Sequence, residues 1–531
     1  MSDPAQSNAN ARAAPWESGS VSGGPSPSRR AVVARAAVLV AIVLAAAIPT
    51  LGRWCSLSPD SFAYLDTART LVETGRYPDH HLIRPPGFPT LIAPLLTLGD
   101  LPALPLRTLF MLSWAVTSVL TYLLYRRELG ELPAWLAGLL VATSAVLLKQ
   151  TTVVLSEPIY LPLSIGTLLV LNRWWRRPPV KAYTVALAGI LAAATLLTRS
   201  AGTVLAILLL AAVIRPNARA GQLRQRIAIS VLFAAFAFGP YLLWQWRQHA
   251  YAAGSDYYRQ WTIAREAEDT DATGLALQIE RFCKFGPLQL DAIKAATVPQ
   301  HIAWRVFNPP FDSVTSWLVG GFFILAAIVR LLRARSPADA YVLLTLGMLA
   351  FWPWNEGVRL VTPLMPLFSG YLIWVGLAWW RRPGRWRFER PLLAACLLLL
   401  LLAQVGELRL TQVRADLDRD KAARRLDAMH RLAEWLDRNT PPQTRWTGIS
   451  EDGHPAKTSL LGAAYFSRRP VRTLDVRDTD AYEAPTSDDR WVFLQDAITR
   501  RPLTARGYAP AATLDGFTIL MKQPPKSSPS P

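Results

Sequence analysis

Long apolar segments separated by short clusters of basic residues run through most of this sequence. Residues 31–51 and 391–407 are typical, because each holds a single charged side chain, Arg35 or Glu407. A helix of about 20 apolar residues is enough to cross the hydrocarbon core of a bilayer. Over the whole chain 51% of the residues are hydrophobic and only 18% are charged, a composition that excludes an ordinary soluble enzyme. We therefore expect a mainly α-helical, polytopic membrane protein.

The apolar segments predict a bundle of about eleven transmembrane helices. The predicted spans lie near residues 31–51, 106–125, 132–148, 152–171, 182–198, 200–214, 227–246, 314–332, 338–354, 360–380 and 391–407. Residues 182–214 are nearly continuous, but a single helix of that length would place Arg199 in mid-membrane, at a cost of several kcal/mol. We therefore expect a hairpin of two short spans in this part of the chain.

The basic clusters all fall on one side of a bundle of eleven spans. They lie at residues 29–35, 126–127, 173–181, 215–226, 330–335 and 381–390. The positive-inside rule makes that side cytoplasmic, so we expect a multi-pass protein of the cytoplasmic (inner) membrane with its N-terminus inside and its C-terminus outside. This placement also accounts for the net charge of +19 without a nucleic-acid partner.

The chain divides into three predicted parts. Residues 1–30 are rich in Ser, Pro, Gly and Ala and are expected to be a disordered cytoplasmic tail. Residues 31–407 form the transmembrane domain, with a first outer loop at 52–105 and a long outer loop at 247–313. Residues 408–531, hereafter the tail, have a soluble composition and short alternating segments, so we expect a small outside-facing α/β accessory domain without a catalytic group.

The first outer loop carries the signals of an amphipathic helix. Ser58-Pro59-Asp60 is typical of a helix start, and Gly75 is typical of a helix end. We expect this helix to lie on the outer leaflet. Its apolar face is predicted to hold Phe62, Leu65, Leu71 and Val72, and its polar face Asp66, Arg69, Glu73 and Arg76.

Charged residues from separate segments converge on the outer face. They are Asp60, Arg84, Glu157, Arg199, Glu356 and Arg359. Carboxylates can act as a general base, and arginines suit a phosphate group. Simpler interpretations stay open: Asp60 can complement a helix dipole, the arginines can reach lipid headgroups, and Glu157 can pair with an arginine.

Histidine and cysteine give weaker signals. His80 and His81 are adjacent and face apart, so we expect no metal site. Cys55 and Cys283 both lie in outer loops, where a disulfide can persist, but two unpaired thiols are the alternative, with Cys283 buried between two phenylalanines. Cys396 is expected to be buried in the eleventh span.

Six short motifs lie in order along the chain. They are Asp60-x-x-x-Tyr64, Gly75-x-Tyr77, Pro85-Pro86-Gly87-x-Pro89, Ser156-Glu157-Pro158, Leu197-Thr198-Arg199-x-x-Gly202 and Glu356-Gly357-x-Arg359 before Pro363 and Pro366. With these motifs the sequence resembles the GT-C membrane glycosyltransferases, in the branch of protein mannosyltransferase-like, lipid A aminoarabinose transferase-like and RgtA/B/C/D-like bacterial enzymes. The resemblance covers about residues 31–410 and departs from the family pattern at Ser61 and Leu360.

The resemblance implies roles for four of the candidate residues. Asp60 matches a catalytic base, and Glu157 matches a second site carboxylate. Arg199 and Arg359 are implied to bind the donor phosphate. We expect Arg84 to bind the same phosphate, and Tyr64 and Glu356 to support the site.

The function implied is transfer of a hexose or pentose from a polyprenyl-phosphate donor to a hydroxyl of a lipid, glycan or protein acceptor outside the membrane. No cofactor is implied. The alternative function is a transporter or flippase of a lipid-linked sugar, and a scaffold for envelope assembly is a weaker third, because it explains neither the arginines nor the proline-dense loop.

Overall fold

A computed structural model of the chain describes residues 28–51, 57–78, 84–176, 181–214, 223–251, 272–299, 312–352, 357–381, 389–441, 444, 446–450, 455–469, 471–475, 491–495, 508–514 and 517–523. Its α-helices, in chain order, are α1 Arg29–Ala47, α2 Pro59–Thr74, α3 Gly87–Leu96, α4 Ala103–Leu129, α5 Glu131–Ala142, α6 Ala145–Gln150, α7 Glu157–Arg176, α8 Ala182–Thr198, α9 Gly202–Ile214, α10 Leu223–Tyr251, α11 Gly274–Thr297, α12 Asp312–Ala334, α13 Pro337–Ala350, α14 Val358–Val361, α15 Met365–Trp380, α16 Glu389–Asn439 and α17 Pro455–Ser467.

Every predicted span overlaps one or more helices. Six helical segments among the described residues are long and apolar enough to cross a membrane: Arg29–Thr50, Ala103–Leu129, Arg224–Arg247, Ser313–Ala334, Val358–Trp380 and Glu389–Arg414. Of the other five predicted spans, residues 132–148 form two helices, α5 and α6, with a break between them, and the remaining four overlap α7, α8, α9 and α13. The prediction of a polytopic helical bundle is confirmed.

The predicted hairpin within residues 182–214 is present. Helix α8 ends at Thr198 and α9 begins at Gly202. A Cβ atom at Gly202 would lie 2.7 Å from the backbone nitrogen of Leu196, so the turn closes only around glycine. The tight turn places Arg199 at the tip of the hairpin rather than within a span.

Helix α2 confirms the predicted start and end but not the predicted surroundings. Ser58 and Ser61 form a reciprocal capping box, and Gly75 ends the helix with a φ of +66°. Phe62 and Leu65 are buried against protein rather than lipid, in a cluster that includes residues of α3 and α17. The expectation that Arg69 lies on an open polar face is wrong, since Arg69 is only 7% exposed. The helix is therefore sandwiched between the bundle and the tail.

The tail is a small α/β unit on a long helical stem, as its alternating segments predicted. Helix α16 runs without a break from the last predicted span through residue 408 into the tail and is 51 residues long. Strands β1 Trp446–Ser450, β2 Val471–Asp475, β3 Trp491–Gln495, β4 Tyr508–Leu514 and β5 Phe517–Lys522 form a mixed sheet of order β2-β1-β3-β5-β4. Trp446 and Ile519 of the sheet pack with Leu432 and Leu436 of α16, so stem and sheet share one core.

Two expectations about cysteines are wrong. Cys283 is exposed on α11, and only one of its neighbouring phenylalanines, Phe285, is buried. Cys396 is also exposed, because most of the apolar part of α16 lies on the outside of the bundle, where lipid would cover it. Cys55 lies outside the described residues, so the disulfide stays a prediction.

Candidate active site

Five separate parts of the chain bring charged side chains together at one end of the bundle. Asp60 lies in the first turn of α2, and Arg84 lies shortly before α3. Glu157 begins α7, Arg199 forms the tip of the α8–α9 hairpin, and Arg359 belongs to α14. Glu356, the remaining predicted member, lies outside the described residues. The convergence predicted from charge topology is therefore found in five of the six residues.

Asp60 is held between two arginines. One carboxylate oxygen, Oδ1, accepts a hydrogen bond from Arg84 Nη2, and the other, Oδ2, accepts one from Arg359 Nη1 at 2.5 Å. Burial alone raises the pKa of Asp60, but the positive charges of Arg84 and Arg359 outweigh it and lower the pKa to about 2. In this state Asp60 is fully ionised near neutral pH and is a weak base.

Glu157 is the most deeply buried charge of the site. Its side chain is completely buried, and its Oε1 atom contacts both Arg199 and Arg359. Arg359 thus bridges the two carboxylates, donating through Nε to Glu157 and through Nη1 to Asp60. The interpretation that Glu157 pairs with an arginine is correct. The arginines point toward the carboxylates and not toward lipid headgroups.

Tyr64 forms the wall of the site next to Asp60. It lies one helical turn after Asp60, and its hydroxyl is 3.4 Å from Ser156 Oγ. Its ring packs edge-on against Phe88 with centroids 4.9 Å apart, and the guanidinium carbon of Arg84 lies 5.5 Å from the ring centre. Burial raises the pKa of Tyr64, so the hydroxyl stays protonated and can donate a hydrogen bond.

The Pro85-Pro86-Gly87 segment sets the distance between the Arg84 and Arg199 parts of the site. A Cβ atom at Gly87 would lie 2.8 Å from the backbone carbonyl of Leu197, near the end of α8. Only glycine allows the start of α3 to approach α8 this closely. The glycine of this motif is therefore explained by the close packing of α3 against α8.

A cavity of about 290 Å³ lies beside Arg359, between α6, α11, α14 and α16. Its polar lining consists of Lys149, Gln150, Arg359, Gln404, Glu407 and Thr411. Lys149 was missed in the sequence analysis, although a cation at an outer span end was the same signal that identified Arg199. Lys149 and Arg359 give the cavity two cations, and Glu407 gives it one carboxylate.

The five described charged side chains of the site have a net positive charge, which suits an anion. Three arginines face two carboxylates, which leaves an excess of one positive charge among these five residues. In the part of the chain that the structure describes, no group of three or more His, Cys, Asp or Glu side chains is placed to hold a metal ion. His80 and His81 lie outside that part.

Comparisons with known proteins agree with this architecture. Residues 83–244, which include Arg84, Glu157 and Arg199, match the family model of dolichyl-phosphate-mannose-protein mannosyltransferases. ArnT from Cupriavidus metallidurans bound to undecaprenyl phosphate is similar in structure, with a TM-score of 0.54 at 12% sequence identity, covering 95% of this chain and 100% of that one. No curated protein matches the sequence at a significant level.

The archaeal oligosaccharyltransferase from Archaeoglobus fulgidus is similar as well. Its apo form has a TM-score of 0.53 at 14% identity, covering 88% of this chain and 70% of that one. The chain therefore has the GT-C fold of these two structures. The shared fold and the family model over residues 83–244 relate the chain to known membrane glycosyltransferases.

Proposed function

We propose that this protein transfers one sugar from a polyprenyl-phosphate donor to an acceptor hydroxyl on the outer face of the cytoplasmic membrane. The observation that carries the proposal is the bridge made by Arg359 between Asp60 and Glu157, next to a cavity with a second cation. A base, a set of arginines and a space for a head group are what such a transfer needs. Similar proteins support the donor class. The ArnT structure contains undecaprenyl phosphate, and a structure of AglB, the oligosaccharyltransferase from Archaeoglobus fulgidus, contains dolichol phosphate.

The reaction is proposed to be a single inverting displacement. Asp60 takes the proton of the acceptor hydroxyl while the acceptor oxygen bonds to the anomeric carbon and the bond from that carbon to the phosphate oxygen breaks. Arg84, Arg199 and Arg359 hold the leaving phosphate and stabilise its growing charge. Glu157 holds Arg199 and Arg359 in place, and Tyr64 closes the wall beside the base.

Donor binding is proposed to activate the base. A phosphate that attracts Arg84 and Arg359 weakens their hold on Asp60 and raises its pKa. The aspartate then becomes a stronger proton acceptor only when a donor is present. This coupling discourages unproductive proton transfer in the empty site.

The remaining features of the proposal follow from charge topology and resemblance. The N-terminus is proposed to be cytoplasmic and the tail to lie outside, and the reaction needs no cofactor. The acceptor is a lipid, glycan or protein hydroxyl. A lipid-linked donor suits the outer face because soluble nucleotide sugars are not expected there.

Replacing Asp60 with asparagine tests the proposal. Purified Asp60→Asn, assayed with a panel of radiolabelled polyprenyl-phosphate sugars, should neither transfer sugar nor release polyprenyl phosphate, while expression and thermal stability stay close to wild type. The matched control is Glu73→Gln on the same helix, whose exposed carboxylate pairs only with Arg468 among the described contacts and should leave turnover unchanged. Wild-type turnover by Asp60→Asn would end the proposal. Movement of the labelled lipid across vesicles without release of polyprenyl phosphate would favour the transporter alternative.

A further inference from the structure

The tail packs directly on the helix that carries Asp60. Arg69, in the third turn of α2, donates a hydrogen bond through Nη1 to the backbone carbonyl of Tyr465 in α17 at 2.6 Å. The same guanidinium lies 3.6 Å from the centre of the Tyr465 ring and makes an ion pair with Asp100 at 2.8 Å. The Tyr465 hydroxyl in turn donates to the Asp100 carbonyl at 2.5 Å. Arg69 therefore joins α2, the segment after α3 and the tail.

The contacts with the tail and the contacts of the site use opposite faces of α2. At about 100° per residue, Arg69 lies about 180° around the helix from Asp60. Phe62 and Arg69 are seven residues apart on one face, and both contact the tail. Asp60 and Tyr64 recur on the other face, toward Arg84 and Ser156. The helix is clamped from both sides.

Aromatic packing makes the tail side of this clamp close-fitting. Phe62 packs against Tyr465 and Phe466 with ring centroids 5.8 and 6.5 Å apart. A Cβ atom at Gly462 of α17 would lie 3.0 Å from the Phe62 ring and 2.3 Å from the sulfur of Met429 in α16. A larger side chain at Gly462 would force the Met429 side chain, and to a lesser extent the Phe62 ring, to shift. The position of α2 therefore depends on the tail as well as on the bundle.

We propose that the tail is a structural part of the catalytic site and that Arg69 is a positioning residue, which fixes α2 so that Asp60 meets the acceptor hydroxyl. This inference rests on the proposed function and revises the expectation of a merely accessory domain. Arg69 suits the role because a planar guanidinium can stack on a ring, hydrogen bond to a carbonyl and pair with a carboxylate at once. A misplacement of about 1 Å in a reacting group can cost roughly 100-fold in rate, so a loosened helix should be visible in turnover.

The test compares Arg69→Met, Arg69→Lys and Arg468→Met in the full-length protein in nanodiscs. Arg468→Met is the matched control, because it removes an arginine from the same interface whose ion pair with Glu73 is exposed, with the two side chains 66% and 43% accessible. Hydrogen–deuterium exchange of residues 59–74 is measured for each variant, together with kcat and KM for the labelled lipid-linked donor and the binding of undecaprenyl phosphate.

Arg69→Met should increase amide exchange over residues 59–64 and lower kcat at least tenfold, with KM and the Kd for undecaprenyl phosphate changed less than threefold. Arg69→Lys should recover part of kcat, because the charge near Asp100 is kept while the planar stack is lost. Arg468→Met should match wild type in both measurements.

Two outcomes overturn the inference. Unchanged exchange over residues 59–64 in Arg69→Met would show that the tail does not hold this part of α2, whether or not any donor is turned over. Increased exchange with wild-type kcat would show that the contact does not position Asp60. If the wild-type protein turns over none of the donors, the proposed function is what fails, and the exchange measurement still decides the coupling of tail and helix.

Discussion

Replacing Glu157 with glutamine should lower the stability of the ligand-free protein and also lower its Kd for a phosphate ligand. The substitution keeps the shape of the side chain and removes one charge. Glu157 is completely buried, and its two partners Arg199 and Arg359 are only 15% and 18% exposed. Loss of the shared carboxylate affects two nearly buried guanidiniums. Arg359 keeps its ion pair with Asp60, whereas Arg199 loses its ion pair with Glu157.

The loss of stability can be bounded from this geometry. Removing one partner of a buried ion pair costs about 3–5 kcal/mol, and the lower end applies here because Arg359 keeps a carboxylate. A long chain loses roughly 2 °C or less in melting temperature per kcal/mol. We therefore expect the apparent melting temperature of Glu157→Gln to fall by at most about 6 °C.

The effect on phosphate affinity has the opposite sign. In the wild-type site the negative charge of Glu157 repels a phosphate that is bound to the same arginines. At a separation of about 6–8 Å and an effective dielectric constant near 20, this repulsion is about 2 kcal/mol. Its removal should lower the Kd for undecaprenyl phosphate roughly 30-fold. The ligand should then raise the melting temperature of the variant more than that of the wild type.

The assay is thermal unfolding of detergent-purified protein with and without undecaprenyl phosphate, together with a direct titration of the ligand. Glu131→Gln is the matched control, since Glu131 also pairs with two arginines, Arg35 and Arg126, but lies where α4 ends and α5 begins, at the opposite end of the bundle. It should lose stability without any change in Kd. Equal or weaker phosphate binding by Glu157→Gln would refute the idea that Glu157 neutralises arginines meant for the donor.

Two more outcomes follow from the same site. Ionised Asp60 is the active form, and its pKa in the empty site is lowered to about 2, so activity at limiting donor should persist to low pH. At saturating donor the pKa of Asp60 is raised, so activity should fall at a higher pH. Acid limbs at the same pH under both conditions of a pH–rate measurement would contradict donor activation of the base. Gly87→Ala should destabilise the protein by about 1–3 kcal/mol and lower turnover, because the added Cβ atom would lie 2.8 Å from the Leu197 backbone. The control is Gly239→Ala in α10, where the added Cβ atom meets open space. It should be neutral or slightly stabilising in the same unfolding and turnover measurements.

Much of the fold was predictable because bilayer crossing and helix capping have strong local signals. The spans follow from apolar runs, and α2 follows from Ser58, Pro59 and Gly75, which act through nearby backbone groups. That the charged residues meet at one end of the bundle follows from the positions of the basic clusters between the spans. These signals need no knowledge of which helices are neighbours.

The rest depends on lateral packing, which the sequence does not encode locally. Charge topology placed Glu157 and Arg359 on one face. It did not predict that the guanidinium of Arg359 would bridge Glu157 and Asp60. The burial of Arg69 could not be predicted because its partners Tyr465 and Asp100 are distant in the chain. Cys396 was misplaced for a related reason, since an apolar span looks the same whether it faces protein or lipid.

The unbroken helix α16 restricts how the protein can change in length. Its 51 residues correspond to about 76 Å of continuous helix joining the last predicted span to the tail. One inserted residue would turn the tail by about 100° and lift it by about 1.5 Å, pulling Tyr465 away from Arg69. Insertions or deletions of about seven or eleven residues restore the rotation but still shift the tail by about 10 Å or more. Chimaeras that exchange tails between such enzymes should therefore be joined within this helix at equal length and in register, and not at its apparent domain boundary.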